Sequence, residues 1–190
     1  FLRASDFVPV AEASMRDRLD PAAREHVVAI DLAAAGVARI ARPKDVFNDG
    51  GGLPELFCGD TPLPLSRWPN EGNAVMEKVL DRGVWSGAAA ERHGGAFVSA
   101  PDARGDWRPA RWNVADGIWL EGYWRVPWDP QAVRVAAVDP AERTIRHAAA
   151  IHGGIGSKYA AKGSLGDGKE PWYAVNLLEE IDRPGEWCVH

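Results

Sequence analysis

Short runs of alternating apolar and polar residues recur along this chain of 190 residues. Successive side chains of a strand point to opposite faces, so such alternation predicts half-buried β-strands. The pattern predicts strands over residues 26–32, 75–80, 96–99, 118–125, 133–138 and 143–146. The last two flank Asp139-Pro140-Ala141-Glu142, which predicts a β-hairpin.

The stretch from residue 55 to residue 65 predicts another hairpin. Residues 55–58 and 61–65 flank Gly59-Asp60, a two-residue connection with glycine where a positive φ is needed. Pro62 and Pro64 cannot donate hydrogen bonds to a β-ladder, so the return strand is expected at a sheet edge.

Helical signals are few and short. Residues 14–17 fit a capping box, and Asp20-Pro21 places an N-cap residue before a proline at the first helical position. Residues 173–181 have apolar positions at helical spacing and predict one further short helix. Glycine-rich residues 48–52 and 153–168 predict loops. The chain is therefore expected to be all-β, a small β-barrel or an open β-sandwich with a few short helices.

Composition narrows the class of protein. The length fits a single domain, and the 20 glycines and 14 prolines favour many turns. The net charge of -5 argues against a nucleic-acid partner, since phosphates are neutralised by Lys and Arg. The least polar stretch, residues 27–41, contains Asp31 and Arg39, which argues against a membrane span. Nine tryptophans suit both a β-rich core and stacking on sugar rings.

Most motifs that could carry chemistry are weak. No histidine has the spacing of a metal ligand set, and His147 and His152 are interpreted as solvated loop residues. The glycine-rich composition of residues 153–158 is similar to that of an anion-binding nest, but the residues lack the spacing of a P-loop. Glu179-Glu180 is interpreted as a solvated surface pair. Cys58 and Cys188 can either form one bridge or stay reduced.

The tight turn over residues 67–72 is the strongest local candidate. It combines the guanidinium of Arg67, the indole of Trp68, the amide of Asn70 and the carboxylate of Glu71. In a structural role, Arg67 pairs with Glu71 and Trp68 fills the core. In a functional role, an exposed turn of this composition is a platform for binding sugars.

Several blocks in order along the chain resemble secreted right-handed parallel β-helix proteins of glycoside hydrolase family 141 and its relatives. These blocks are residues 54–57, 65–72, 118–124, 129–145, 173–182 and 184–187. Residues 84–111 match least. In such proteins this segment is a β-rich domain inserted after the first coils of the β-helix. The resemblance therefore implies that residues 1–190 are a single insertion domain cut from a longer chain. The apolar run at residues 187–190 favours the same interpretation.

The resemblance also implies a function and its partners. The hydrolytic carboxylates of the family are expected in the β-helix, so no catalytic residue, metal or cofactor is assigned to this chain. The expected partners are the β-helix domain of the parent protein and a plant-type polysaccharide. The expected location of the parent is secreted or periplasmic. The candidate glycan contacts are Arg67, Trp68, Asn70, Glu71, Trp119, Tyr123, Trp124 and Trp128. Asn176 and Trp187 are expected to fix the segment that returns to the β-helix.

Two alternative functions stay open at this point. One is a self-contained hydrolase that uses Glu71 or Glu121 together with Asp129. The other is a purely structural interaction module whose apolar patch is covered by the β-helix.

Overall fold

A computed structural model describes residues 2–40, 53–102, 105–159 and 170–190. Within these residues the strands are β1 (Val8–Pro9), β2 (Val28–Ala29), β3 (Leu56–Cys58), β4 (Thr61–Leu63), β5 (Arg67–Trp68), β6 (Ala74–Asp81), β7 (Ala96–Ser99), β8 (Trp119–Gly122), β9 (Gln131–Asp139), β10 (Thr144–His147) and β11 (Pro171–Val175). One short helix, α1, spans Ala13–Arg16. Single 3₁₀ turns lie at Ala4–Asp6, Ala89–Glu91, Arg108–Arg111, Val114–Asp116 and Leu178–Glu180.

Six antiparallel strands close into a barrel in the order β6-β7-β10-β9-β8-β11. Closure depends on β11, which pairs with β8 on one side and with β6 on the other. The short strand β5 is the additional seventh strand and extends the β6 side of β11, with Ala174 opposite Trp68. The all-β prediction is confirmed, and of the two expected architectures the chain adopts the barrel. Among the described residues, no helix has both the length and the apolar character needed to cross a membrane.

Aromatic rings fill the interior of the barrel. Alternate residues of a strand point inward, and several of these residues are aromatic. Phe97 packs against Trp124 and Trp172, with ring centroids 5.9 and 5.5 Å apart. Leu120 and Ile145 are also fully buried. Burial of large rings supplies much of the apolar stabilisation of a core.

A second, smaller cluster joins the first residues of the chain to the turn that follows β11. Val10 and Leu19 pack with Leu178 and Ile181. Asp20 accepts a 2.9 Å hydrogen bond from the Ala22 amide, as expected of a capping residue. The N-terminal segment is in this way fastened to one end of the barrel.

Both predicted hairpins are present. Gly59 has φ +60° between β3 and β4, which form a separate two-stranded sheet. In the β9–β10 turn, the Asp139 carboxylate accepts from the amides of Ala141 and Glu142. The strands predicted at 75–80 and 96–99 are also confirmed.

Three local predictions are corrected. The helix predicted over 173–181 is wrong, because the segment begins in strand β11. Trp172 and Ala174 are two positions apart and both point into the barrel, as the spacing of a strand requires. The left-handed Asn176, φ +64°, then ends the strand before a 3₁₀ turn. The strand predicted over 26–32 is reduced to the two residues of β2. The capping box predicted to start at Ser14 is not formed, since Glu12 is the N-cap of α1. Residues 48–52 lie outside the described residues.

Candidate functional site

Two of the eight candidate glycan contacts belong to the core. Trp68 and Trp124 are 7% and 0% exposed, respectively. Trp68 packs against Trp112 and Trp172, and the Trp124 Nε1 donates to the Gln131 carbonyl at 2.8 Å. Their expected role as sugar platforms is therefore corrected, because neither ring presents a face to solvent.

The turn that follows β5 is tied to the segment after β11. Asn70 Nδ2 donates to Asp182 Oδ1 at 2.7 Å, and Arg183 Nη1 lies 3.0 Å from Glu71 Oε1. The expected Arg67–Glu71 pair is not formed. Arg67 Nη2 donates instead to the Gly72 carbonyl at 2.7 Å. Asn70 and Glu71 thus serve to hold a corner of the fold.

Asn176 and Trp187 hold the C-terminal segment against the rest of the chain. The Asn176 amide forms hydrogen bonds with both backbone groups of Val189, at 2.9 and 2.8 Å. Trp187 Nε1 donates to the Leu63 carbonyl at 3.0 Å. Its backbone carbonyl accepts from the Ser66 amide at 2.7 Å. The last residues therefore run beside the β3–β4 hairpin.

The outward side of β8 brings together three of the remaining candidates. Residues 119 and 121 point away from the buried Leu120 and Gly122, and residue 123 continues the same side beyond the strand. Neighbouring strands add three more side chains to this side. We call this surface the β8 face; its residues are Arg67, Trp119, Glu121, Tyr123, Arg134 and Tyr173.

Close contacts order the middle of the β8 face. The Tyr173 hydroxyl donates to Glu121 Oε2. Burial, together with this hydrogen bond, raises the pKa of Tyr173 well above its usual range. The Arg67 guanidinium carbon lies 4.3 Å from the centre of the Tyr173 ring, a cation–π distance. This arrangement keeps the phenol protonated and leaves the second oxygen of Glu121 as an acceptor.

A cleft of about 230 Å³ opens at one end of the β8 face. Trp119 and Arg134, which are opposite each other on β8 and β9, both line it. Asp116, Asn176 and His190 complete its polar wall. The cleft therefore brings an aromatic ring and a guanidinium together.

The last candidate, Trp128, lies on the β8–β9 loop and is exposed. Its ring packs against that of Tyr159, with centroids 6.5 Å apart. Asp129 next to it is buried, and its Oδ2 lies 3.2 Å from His152 Nδ1. Trp128 therefore belongs to a loop cluster separate from the Trp119 cleft.

The carboxylates of the alternative hydrolase hypothesis have different partners. Glu71 pairs with Arg183, Glu121 accepts from Tyr173, and Asp129 bonds to His152 and Gln131. No hydrogen bond joins Asp129 to either glutamate among the described residues.

The interpretation of Glu179 and Glu180 as solvated is wrong. Both are buried, and each is paired with an arginine. Arg18 Nη2 lies 2.7 Å from Glu179 Oε1, and Arg108 Nε donates to Glu180 Oε2 at 2.7 Å. These pairs fasten the N-terminal segment and the β7–β8 loop to the turn after β11.

His147 is likewise not a solvated residue. Its ring lies inside the barrel 4.5 Å from the Trp124 ring, and burial lowers its pKa to about 3. His152 is the half-exposed member of the expected pair. The described residues contain no group of three or more His, Cys, Asp or Glu that could hold a metal ion. Cys58 and Cys188 are both unbridged.

The glycine-rich loop after β10 does not offer an anion nest in its described part. The amides of Ile155, Gly156 and Lys158 donate to the carbonyls of Arg82, Trp124 and Arg125. Because these donors are occupied, the loop braces the barrel end instead of presenting its amides to a ligand.

Tyr173 and Arg134 belong to the β8 face but were not among the sequence candidates. The helical spacing of residues 173–181 predicts a helix, and Trp172 to Val175 are all apolar or aromatic, so no alternation marks Tyr173 as an outward-facing strand residue. Arg134 is the only charged residue between Gln131 and Val138 of β9, a signal that its side chain points outward. Comparison of the chain with family models, with curated proteins and with solved structures found no match.

Proposed function

We propose that this chain is a non-catalytic β-barrel insertion domain of a secreted, right-handed β-helix protein related to glycoside hydrolases, and that its β8 face binds polysaccharide. The observation that carries the proposal is the set of aromatic rings on this face, Trp119, Tyr123 and Tyr173, beside Arg67 and Glu121.

The spacing of these groups suits an extended glycan. Residues 119 and 121 are two positions apart on one side of β8, so they are separated by about 7 Å, and Tyr123 follows just beyond the strand. Aromatic rings offer apolar faces to the C–H side of sugar rings. Glu121 and the free N–H groups of the arginines offer hydrogen bonds to hydroxyl groups.

The proposal that the chain comes from a β-helix protein is supported by the blocks that resemble such proteins in the same order along the sequence. The absence of catalysis rests on the same resemblance, because the hydrolytic carboxylates of such proteins are expected in the β-helix. The exposed apolar residues that a purely structural module would need are dispersed over several elements, among them Val28 on β2, Phe57 on β3 and Leu80 on β6.

Titration with polysaccharides tests the proposal. We expect a saturable shift in tryptophan fluorescence with at least one member of a panel of xylans, pectins, fucosylated oligosaccharides and alginate, and no increase in reducing ends. Calorimetric titration of Trp119→Ala and Tyr123→Ala should then show binding weakened by at least about fivefold, because each change removes a stacking surface.

Phe57→Ala is the matched control, because it removes an exposed ring from the separate β3–β4 sheet. It should bind as the unmodified protein does. Release of reducing ends that is lost in Glu121→Gln would replace the proposal by the hydrolase alternative. If no glycan of the panel binds, glycan binding is refuted.

A further inference from the structure

Arg134 is the unusual member of the β8 face. Its side chain is partly buried at the wall of the cleft, yet its guanidinium has no hydrogen bond or ion pair with any described residue. By contrast, Arg18, Arg108 and Arg183 are each paired with a carboxylate. A guanidinium carries five N–H donors in a planar fork that matches a carboxylate.

The Arg134 guanidinium occupies the space beside Gly117, where a side chain would otherwise lie. A Cβ atom on Gly117 would lie 2.7 Å from Arg134 Nη2, so any other residue there would displace the group. Gly117 has φ +88° and ends the 3₁₀ turn of Val114–Asp116. The Arg134 guanidinium therefore packs against the backbone of Gly117, which carries no charge of its own.

The other charges of the cleft are already compensated. The Asp116 carboxylate bonds to the Arg18 guanidinium, and His190 Nδ1 lies 3.5 Å from the same carboxylate. The Asn176 amide is engaged with the backbone of Val189. Among the described residues that line the cleft, Arg134 is thus the one whose charge has no partner, within a protein of net charge -5.

We infer that the Trp119–Arg134 cleft binds a sugar residue that carries a carboxylate, with the ring against Trp119 and the carboxylate on the Arg134 fork. The two side chains are opposite each other across β8 and β9, so their Cβ atoms are about 5 Å apart. One uronic acid residue can span that separation. The inference rests on the proposed glycan binding and names the class of glycan.

Pairs of acidic and methyl-esterified ligands test this inference. Oligogalacturonates, oligoglucuronates and alginate oligomers are titrated calorimetrically, each as the free acid and as its methyl ester, so that only the charge differs. We expect at least one acid to bind roughly tenfold or more tightly than its ester, because the ester loses the charge-assisted hydrogen bonds. Added salt should reduce this preference.

Arg134→Met keeps the apolar stem of the side chain and should bind acid and ester equally. Arg146→Met is the control, because it removes the same charge from an exposed site on β10. It should keep the preference. Equal binding of every acid and its ester by the unmodified protein, or a preference that survives in Arg134→Met, would overturn the inference while the proposed function stands. Failure to bind any neutral or acidic glycan would overturn both.

Discussion

Arg108→Met is expected to lower the free energy of unfolding by about 3–5 kcal/mol, the usual result of removing one partner of a buried ion pair. Glu180 is only 1% exposed, and both of its oxygens are engaged. Oε2 accepts from the Arg108 guanidinium and Oε1 from Trp112 Nε1 at 2.9 Å. Without Arg108, the charge of Glu180 is buried with no counter-charge on Oε2.

Urea unfolding at pH 7 measures this loss, and unfolding at pH 5 tests its cause. Burial raises the pKa of Glu180 even with Arg108 present, and removal of the arginine raises it further. A carboxyl group whose pKa is higher in the folded state binds protons there more readily than in the unfolded state. The deficit of the variant should therefore shrink as the pH falls from 7 to 5.

Arg111→Met is the matched control, because it removes the same charge from the same 3₁₀ turn. Arg111 pairs with Asp106 at 2.7 Å, but both side chains are about half exposed, so the loss should stay below about 1 kcal/mol. The double variant Arg108→Met/Glu180→Gln should recover part of the stability, since position 180 then carries no unpaired buried charge. An equal loss in Arg108→Met and Arg111→Met would contradict this account.

The elements that the sequence predicts well are those specified by neighbouring residues. The β9–β10 turn is set by Asp139, whose carboxylate caps the two following amides, and the β3–β4 turn is set by Gly59. Strand β7 is visible as a short apolar run. In each case the determining contacts span only a few residues, and turn and strand preferences are sufficient.

The ion pairs and the buried histidine depend on contacts between distant parts of the chain. Glu180 meets Arg108 across 72 residues, and Glu179 meets Arg18 across 161. Local composition indicates a charged surface at Glu179-Glu180, because the arginines that neutralise the pair are far away in sequence. Only the closed barrel brings these residues together.

The candidate site was predictable in part for the same reason. The sequence identifies Trp119 and Tyr123 as aromatic residues of one predicted strand, and Arg67 as part of a turn. The burial of Trp68 and Trp124 could not be inferred, because an indole suits both a core and a sugar platform. The pairing of Trp119 with Arg134 depends on the register of β8 with β9, which local sequence does not specify.

Acidification should destabilise the protein through His147. Its ring is fully buried against Phe97 and Trp124, and neither ring nitrogen has a hydrogen-bond partner among the described residues. Burial lowers the pKa of His147 to about 3, whereas an unfolded histidine has a pKa of about 6.5. Below pH 6.5 the unfolded state therefore binds a proton that the folded state excludes.

The resulting contribution is zero above about pH 7 and grows as the pH falls towards 3, by about 1.4 kcal/mol per pH unit. Between pH 6.5 and 4.5, His147 alone should remove about 2–3 kcal/mol of stability. The buried carboxyl group of Glu180 and the partly buried one of Glu186 have pKa values raised by burial and act in the opposite direction. The contribution of His147 must consequently be measured as a difference between two proteins.

His147→Gln supplies that difference, because glutamine has a similar size and does not titrate. Urea unfolding of both proteins at half-unit steps from pH 7.5 to 4.5 should show the variant gaining about 2–3 kcal/mol relative to the unmodified protein as the pH falls. His26→Gln, a change at an exposed histidine, is the control and should keep the original pH dependence. Parallel stability curves for His147→Gln and the unmodified protein would show that the ring takes up its proton in the folded barrel, and that the barrel interior admits water or rearranges to solvate it.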